Sequence, residues 1–129
     1  MKLKMIATFV LVILCTFITA CGSSNIDHDL STTGFQFRYE VVTNMKENPK
    51  NYKNKTIKIK GDLKSNGSAY YYLTETDNVC CTWKLEVKLG NDKMVFPTEN
   101  KDGIIVVGEF STYTKNNVEK PYLKITEFV

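Results

Sequence analysis

From Cys81 to Leu89 the chain alternates without a break. Cys81, Trp83, Leu85, Val87 and Leu89 fall on one side; Thr82, Lys84, Glu86 and Lys88 fall on the other. A period of two residues is the pleat of a β-strand, with one dry face and one wet face. The same period recurs from Thr56 to Leu63, where Ile57, Ile59, Gly61 and Leu63 oppose Lys58, Lys60 and Asp62. Lys64-Ser65-Asn66-Gly67 then reads as a hairpin turn, with Asn-Gly supplying positive φ. A second strand is expected from Ser68 to Thr76, carrying Tyr70-Tyr71-Tyr72-Leu73. The polar stretch 90–103, interrupted by Met94-Val95-Phe96, is a connection. Ile104 to Tyr113 is apolar enough for a central strand, and Gly108 inside it marks a bulge or bend. After a polar loop, Pro121 opens the last strand, where its missing donor does least harm, with Leu123 and Ile125 inward.

These five strands predict a mainly β domain over residues 35–129, a small closed or nearly closed barrel with one short N-terminal helix. The alternation of Phe35 and Phe37 suggests a short strand first. Tyr39, Val42 and Met45 then follow helical spacing, which places the helix at 39–47. It stops at Asn48-Pro49, because the residue before proline avoids the α region. Tyr52, in the turn that follows, is expected to reach the core.

The N-terminus has a different character. Lys2 and Lys4 precede an uncharged run over residues 5–20, the pattern of an export signal. As a helix that run rises about 24 Å, short of the roughly 30 Å hydrocarbon core of a bilayer. Its end, Ile18-Thr19-Ala20-Cys21, resembles the lipobox of bacterial lipoproteins, with Thr19 where Ala or Ser is commoner. The resemblance implies removal of residues 1–20 and a diacylglyceryl thioether on Cys21, the thiolate being the nucleophile. Diacylglycerol and palmitate chains there would hold the protein on the extracytoplasmic face of the cell membrane, two chains anchoring where one comes off. Residues 21–34 are small and polar and read as a flexible tether. His28, between Asp27 and Asp29, is expected to be a solvated residue of that tether.

Removing the signal changes the charge. The full chain carries 17 basic and 14 acidic groups. Lys2 and Lys4 leave with the signal, so 15 face 14 and the mature protein is near neutral. That argues against a strongly phosphate-binding surface, and nucleic acid is not an expected partner. All but one of the basic residues are Lys and Asn is abundant, a bias that fits an AT-rich Gram-positive genome.

Three patches resemble a family of uncharacterised bacterial OB-fold lipoproteins. They are Asn48-Pro49 with Tyr52 and the strand Lys55-Thr56-Ile57-Lys58-Ile59-Lys60-Gly61; Cys80-Cys81 followed by Trp83-Lys84-Leu85-Glu86-Val87; and Ile105-Val106-Val107-Gly108-Glu109-Phe110 with Tyr113. The chain departs from the pattern at Asn54, where Gly is usual, and at Thr82-Trp83-Lys84 after the cysteines. The resemblance implies an OB fold and no particular activity.

Two constellations remain. Cys80-Cys81 is the pair left once Cys15 departs and Cys21 is lipidated. It admits three readings: a structural pair with Cys81 in the core, a vicinal disulfide, strained and reducible, or a metal site. The last lacks a domain histidine or further cysteine to complete it, and no metal or other cofactor is expected. The second constellation is aromatic. Tyr70, Tyr72 and Trp83 lie on the two strands that carry the ligand face of OB folds, where they would stack on a sugar or peptide; alternatively they are core and strand cover. With no domain histidine there is no Ser-His-Asp or Cys-His arrangement, and the chain is not expected to be an enzyme. The reading is a membrane-anchored binding or interaction module for an unknown protein, peptide or glycan; the alternative is a thiol-dependent redox or metal-handling lipoprotein using Cys80 and Cys81.

Overall fold

The computed structural model describes residues 25–129 except 68, 69 and 99. The lipobox and Cys21 lie outside the described residues. Among those described, no helix is long and apolar enough to cross a membrane.

Among the described residues the protein is mainly β, with one α-helix and six strands in one sheet. The strands are β1 (His28–Leu30), β2 (Thr56–Ser65), β3 (Tyr71–Thr76), β4 (Thr82–Leu89), β5 (Lys101–Lys115) and β6 (Val118–Phe128). The helix, α1, spans Phe35–Glu47, and a 3-10 turn follows at Pro49–Asn51. β2 pairs antiparallel with β3, and β3 antiparallel with β4. β4 pairs parallel with β6, and β6 antiparallel with β5. β5 returns to pair antiparallel with β2. Five strands therefore pair in a cycle, and their dry faces meet inside it. Ile57, Ile59, Leu63, Leu73, Leu85, Val106, Phe110, Leu123 and Ile125 form the core, each buried; Ile57, Ile59, Leu63, Leu85, Leu123 and Ile125 are inward as the sequence predicts.

The bulge expected at Gly108 is present: the β5–β6 register shifts between Val107 and Gly108. A Cβ there would lie 2.6 Å from the Lys124 carbonyl oxygen, so the two strands approach only because residue 108 has none. The chain from Asn91 to Pro97 does more than connect. Phe96 stacks on Tyr71 at 3.7 Å between centroids and meets Phe128 edge-on at 6.0 Å, closing one end of the core.

The N-terminal part of the domain differs from expectation in two ways. Part of the predicted tether is structured: β1 lies inside residues 21–34 and adds a sixth strand. It pairs parallel with Ile57–Ile59, on the edge of β2 that β3 takes only from Asp62 onward, β5 holding the other edge, and buries Leu30. His28 is half-buried there, its ring 5.3 Å from that of Tyr52. Secondly, Phe35 and Phe37 belong to α1, which starts at Phe35. The buried positions Arg38, Val42 and Met45 repeat at helical spacing and override the alternation of the two phenylalanines. The helix ends where proline predicts, with the Asn48 N–H on the Asn44 carbonyl.

Arg38 joins these pieces. Its guanidinium makes a two-pronged pair with Glu75 on β3, both contacts 2.7 Å, and donates to the carbonyls of Leu30 and Thr33. Trp83 Nε1–H donates to the same carboxylate at 3.2 Å. The Arg38 guanidinium holds the Glu75 carboxyl below its ordinary value of 4.5.

Candidate functional site

β4 and β6 pair only from Glu86 and Tyr122 onward. Before that point β4 follows β3 and β6 follows β5, so the two parallel strands splay. The gap is a cleft of about 380 Å³ lined by Lys46, Tyr70, Lys84, Glu86, Glu119, Lys120 and Pro121. The C-terminal end of α1 contributes Lys46, and the approach to β3 contributes Tyr70.

The wall of the cleft is the wet face of the sheet. Tyr72, Glu86, Tyr122 and Ser111 occupy one row across β3, β4, β6 and β5. The rings of Tyr70 and Tyr72 are 5.9 Å apart, and Lys84 Nζ lies 4.8 Å from the Tyr72 ring centroid. Lys88 Nζ stands 3.9 Å from the Tyr113 ring centroid and 4.9 Å from that of Tyr122. Tyr70 is the most open of these aromatics, at 39 % exposure.

Charges of both signs share the site. Loss of solvent lowers the pKa of Lys46, and the like charge of Lys84 adds to the effect. Loss of solvent raises that of Tyr70, helped by the Glu86 carboxylate. Tyr113 donates to Glu86 Oε2 at 2.7 Å, and that bond pushes its phenol from 10.0 up to about 12. A proton held more tightly in the folded state contributes stability below pH 10 that is lost as the pH rises toward 12. Absorbance at 295 nm is expected to show one phenol titrating near 12. Glu86→Gln removes the charged acceptor and returns that phenol toward 10, which the same titration checks.

Of the two readings of Trp83, a ligand face shared with Tyr70 and Tyr72 or a place in the core, the structure has the second, on the side where the alternation of β4 puts it. Trp83 is 2 % exposed and points into the core, on the opposite side of β4 from Lys84 and Glu86. The pleat explains this: residues 83 and 84 cannot face the same way. Tyr70 and Tyr72 do come together. Sequence reasoning missed Lys46, Glu119, Tyr113 and Tyr122. The phase of Tyr122, out of step with buried Leu123 and Ile125, is a signal that marks an outward residue.

Cys80 and Cys81 are bonded to each other, with their Cα atoms 3.7 Å apart. Of the three readings left open, the vicinal disulfide is the one observed. It sits in the turn between β3 and β4, with Cys80 exposed and Cys81 half-buried. Asp77 organises the turn. Its Oδ1 accepts from the backbone N–H groups of Val79, Cys80 and Cys81 at 3.1, 2.8 and 2.9 Å, and its own N–H donates to the Cys81 carbonyl at 3.0 Å. Those bonds hold the Asp77 carboxyl below its ordinary value of 3.8, Cys80 contributing most. An Asp77 oxygen and the two sulfurs lie within 4.8 Å of one another. While the sulfurs are bonded to each other they are not thiolates, the form in which cysteine ligates metal. A disulfide between neighbours also closes the shortest possible loop. The chain-entropy contribution is then about 1 kcal/mol, against about 3 kcal/mol for a 15-residue loop. It ties no two elements together.

No protein-family model, no curated protein and no solved structure matches the chain.

Proposed function

We propose that this chain is a lipid-anchored, extracytoplasmic binding module built on an OB-fold barrel, which takes a peptide or glycan in the cleft between β4 and β6. The pairing cycle β2-β3-β4-β6-β5, returning to β2 and containing one parallel pair, supports the OB barrel. In that fold the ligand lies on the second and third strands of the barrel and the loops beside them. Here those strands are β3 and β4, and the neighbouring loops are the β2–β3 turn and the β5–β6 hairpin.

The observation that carries the reading is the cleft at that place. It combines an open tyrosine with cationic Lys46, Lys84 and Lys120 and anionic Glu86 and Glu119. Aromatic rings supply stacking surface, and separated charges of both signs suit a ligand bearing polar groups of both kinds. The near-neutral balance of the mature chain disfavours nucleic acid.

A photocrosslinking amino acid at position 70, on intact cells, is expected to capture the ligand, and the same group at Asp92, outside the cleft lining, to capture none. Equal capture at both positions rejects the face. Anchoring rests on the lipobox resemblance and has its own test. Cys21→Ser is expected to shift the protein from the membrane fraction to the medium or to the unprocessed precursor, read by immunoblot. Processed Cys21→Ser protein that stays in the membrane fraction removes the anchor from the proposal.

A further inference from the structure

The Cys80–Cys81 pair lies apart from the cleft and raises a separate question. Its loop is closed by the four hydrogen bonds of Asp77, with the S–S bond as an addition. The bond therefore braces little, and it stands at the surface with Cys80 open to solvent. We infer that Cys80 and Cys81 form a two-electron thiol–disulfide centre that exchanges with a dithiol partner outside the membrane.

The step balances as follows. One thiolate of the partner attacks the exposed Cys80 Sγ. A partner–Cys80 disulfide forms while the Cys80–Cys81 bond breaks, and the electron pair leaves on Cys81 Sγ, which takes a proton from water. The partner's second thiol, deprotonated to solvent, attacks its own sulfur in the mixed disulfide. The partner closes into a disulfide, and Cys80 leaves as a thiolate and is protonated. Two electrons and two protons have passed to the pair, and the partner is oxidised by the same amount.

Asp77 shapes this chemistry. Its carboxylate oxygen lies within 4.8 Å of both sulfurs, so a second negative charge there is disfavoured. The reduced product is the neutral dithiol, and the departing Cys81 thiolate is penalised. Attack by a monothiol then stalls or reverses at the mixed disulfide. A dithiol carries its second nucleophile with it and drives the exchange through. Cys81, pinned through both its N–H and its carbonyl by Asp77, is the sulfur held in place while Cys80 is attacked.

The test uses the full chain in detergent with dithiothreitol as the partner. Trapped thiols are alkylated and read by mass on the tryptic peptide Ser65–Lys84. The expected result is a reversible titration in which both cysteines gain label together, with Tm moving by no more than about 5 °C between the two forms. Asp77→Asn keeps an oxygen acceptor for the three N–H groups but removes the charge, and is expected to speed reduction severalfold with a small fall in Tm, because the three bonds lose their charged acceptor. Oxidised glutathione added to reduced Cys81→Ser protein is expected to leave one glutathione on Cys80. Three outcomes overturn the inference: a pair that stays oxidised in excess dithiothreitol while the domain is folded, a fall in Tm above about 10 °C on reduction, or a reduced pair that retains one equivalent of zinc and does not reoxidise.

Discussion

Glu75→Gln is expected to destabilise the domain by about 3 kcal/mol, because it leaves the charge of Arg38 without its counterion where water scarcely reaches. Arg38 is 7 % exposed. Its partner carboxylate receives both prongs of the guanidinium and the Trp83 indole N–H, and one neutral amide cannot serve that set. The expected loss follows from breaking the pair, not from any large net value of the pair itself. Arg38→Met with Glu75→Leu, which removes both charges and keeps bulk, is accordingly expected to recover most of it. Urea unfolding of the three variants measures both numbers. The pH dependence has a definite sign. The folded Glu75 carboxyl sits below its ordinary value of 4.5, so its contribution is complete above that pH and is lost as the pH falls through the lowered value. Glu75→Gln is therefore expected to flatten the acid limb of the stability curve. An acid limb of unchanged slope rejects this account of Glu75.

Trp83→Ala is expected to cost about 4 kcal/mol, the range for removing a large aromatic from a packed core. Trp83 is the single tryptophan of the chain, and its ring lies over Gly61 on β2. A Cβ on Gly61 would stand 2.8 Å from Trp83 Cη2, so the two positions are fitted to each other. Gly61→Ala approaches the same contact from the opposite strand and is expected to cost about 1–3 kcal/mol through overpacking. Trp83 also donates to Glu75, so Trp83→Ala and Glu75→Gln share a network. Their combined loss is expected to fall short of the sum, and a double-mutant cycle by circular dichroism reads the difference. Strict additivity places the indole N–H outside the Arg38–Glu75 network.

The strands were legible because alternation is a local property. Ile57, Ile59 and Leu63, and Trp83, Leu85 and Val87, announce their dry face without reference to anything distant. Gly108 was legible as a bulge for a similar reason: a glycine inside an apolar strand has few other uses. β1 was not, because His28-Asp29-Leu30 holds one apolar residue and becomes a strand only against the open side of β2. The start of α1 was hidden by Phe35 and Phe37, and the deciding fact is the burial of Arg38, which depends on Glu75 far along the chain. The cleft was half legible. Tyr70 and Tyr72 are close in sequence, but Lys46 and Glu119 reach the same place from a helix end and a distant hairpin. The alternation placed Trp83 on the dry side of its strand, where it lies, and only the alternative reading of a shared face with Tyr70 and Tyr72 falls away. The adjacent cysteines permitted several chemistries, and only the positions of their sulfurs separate them.

β1 has a mechanical consequence. Any tension applied at the N-terminus enters the domain at Asp27, where the N–H bonds the Thr56 carbonyl at 2.9 Å and the carboxylate takes the Thr56 N–H at 2.8 Å. The next resistance is a ladder three residues long, and after it the burial of Leu30 and the grip of Arg38 on two carbonyls. A pull at the N-terminus loads these contacts first, ahead of the five strands paired in a cycle. Detachment of β1 uncovers the backbone of Ile57–Ile59, so a sustained pull is converted into a vacant edge the width of one short strand.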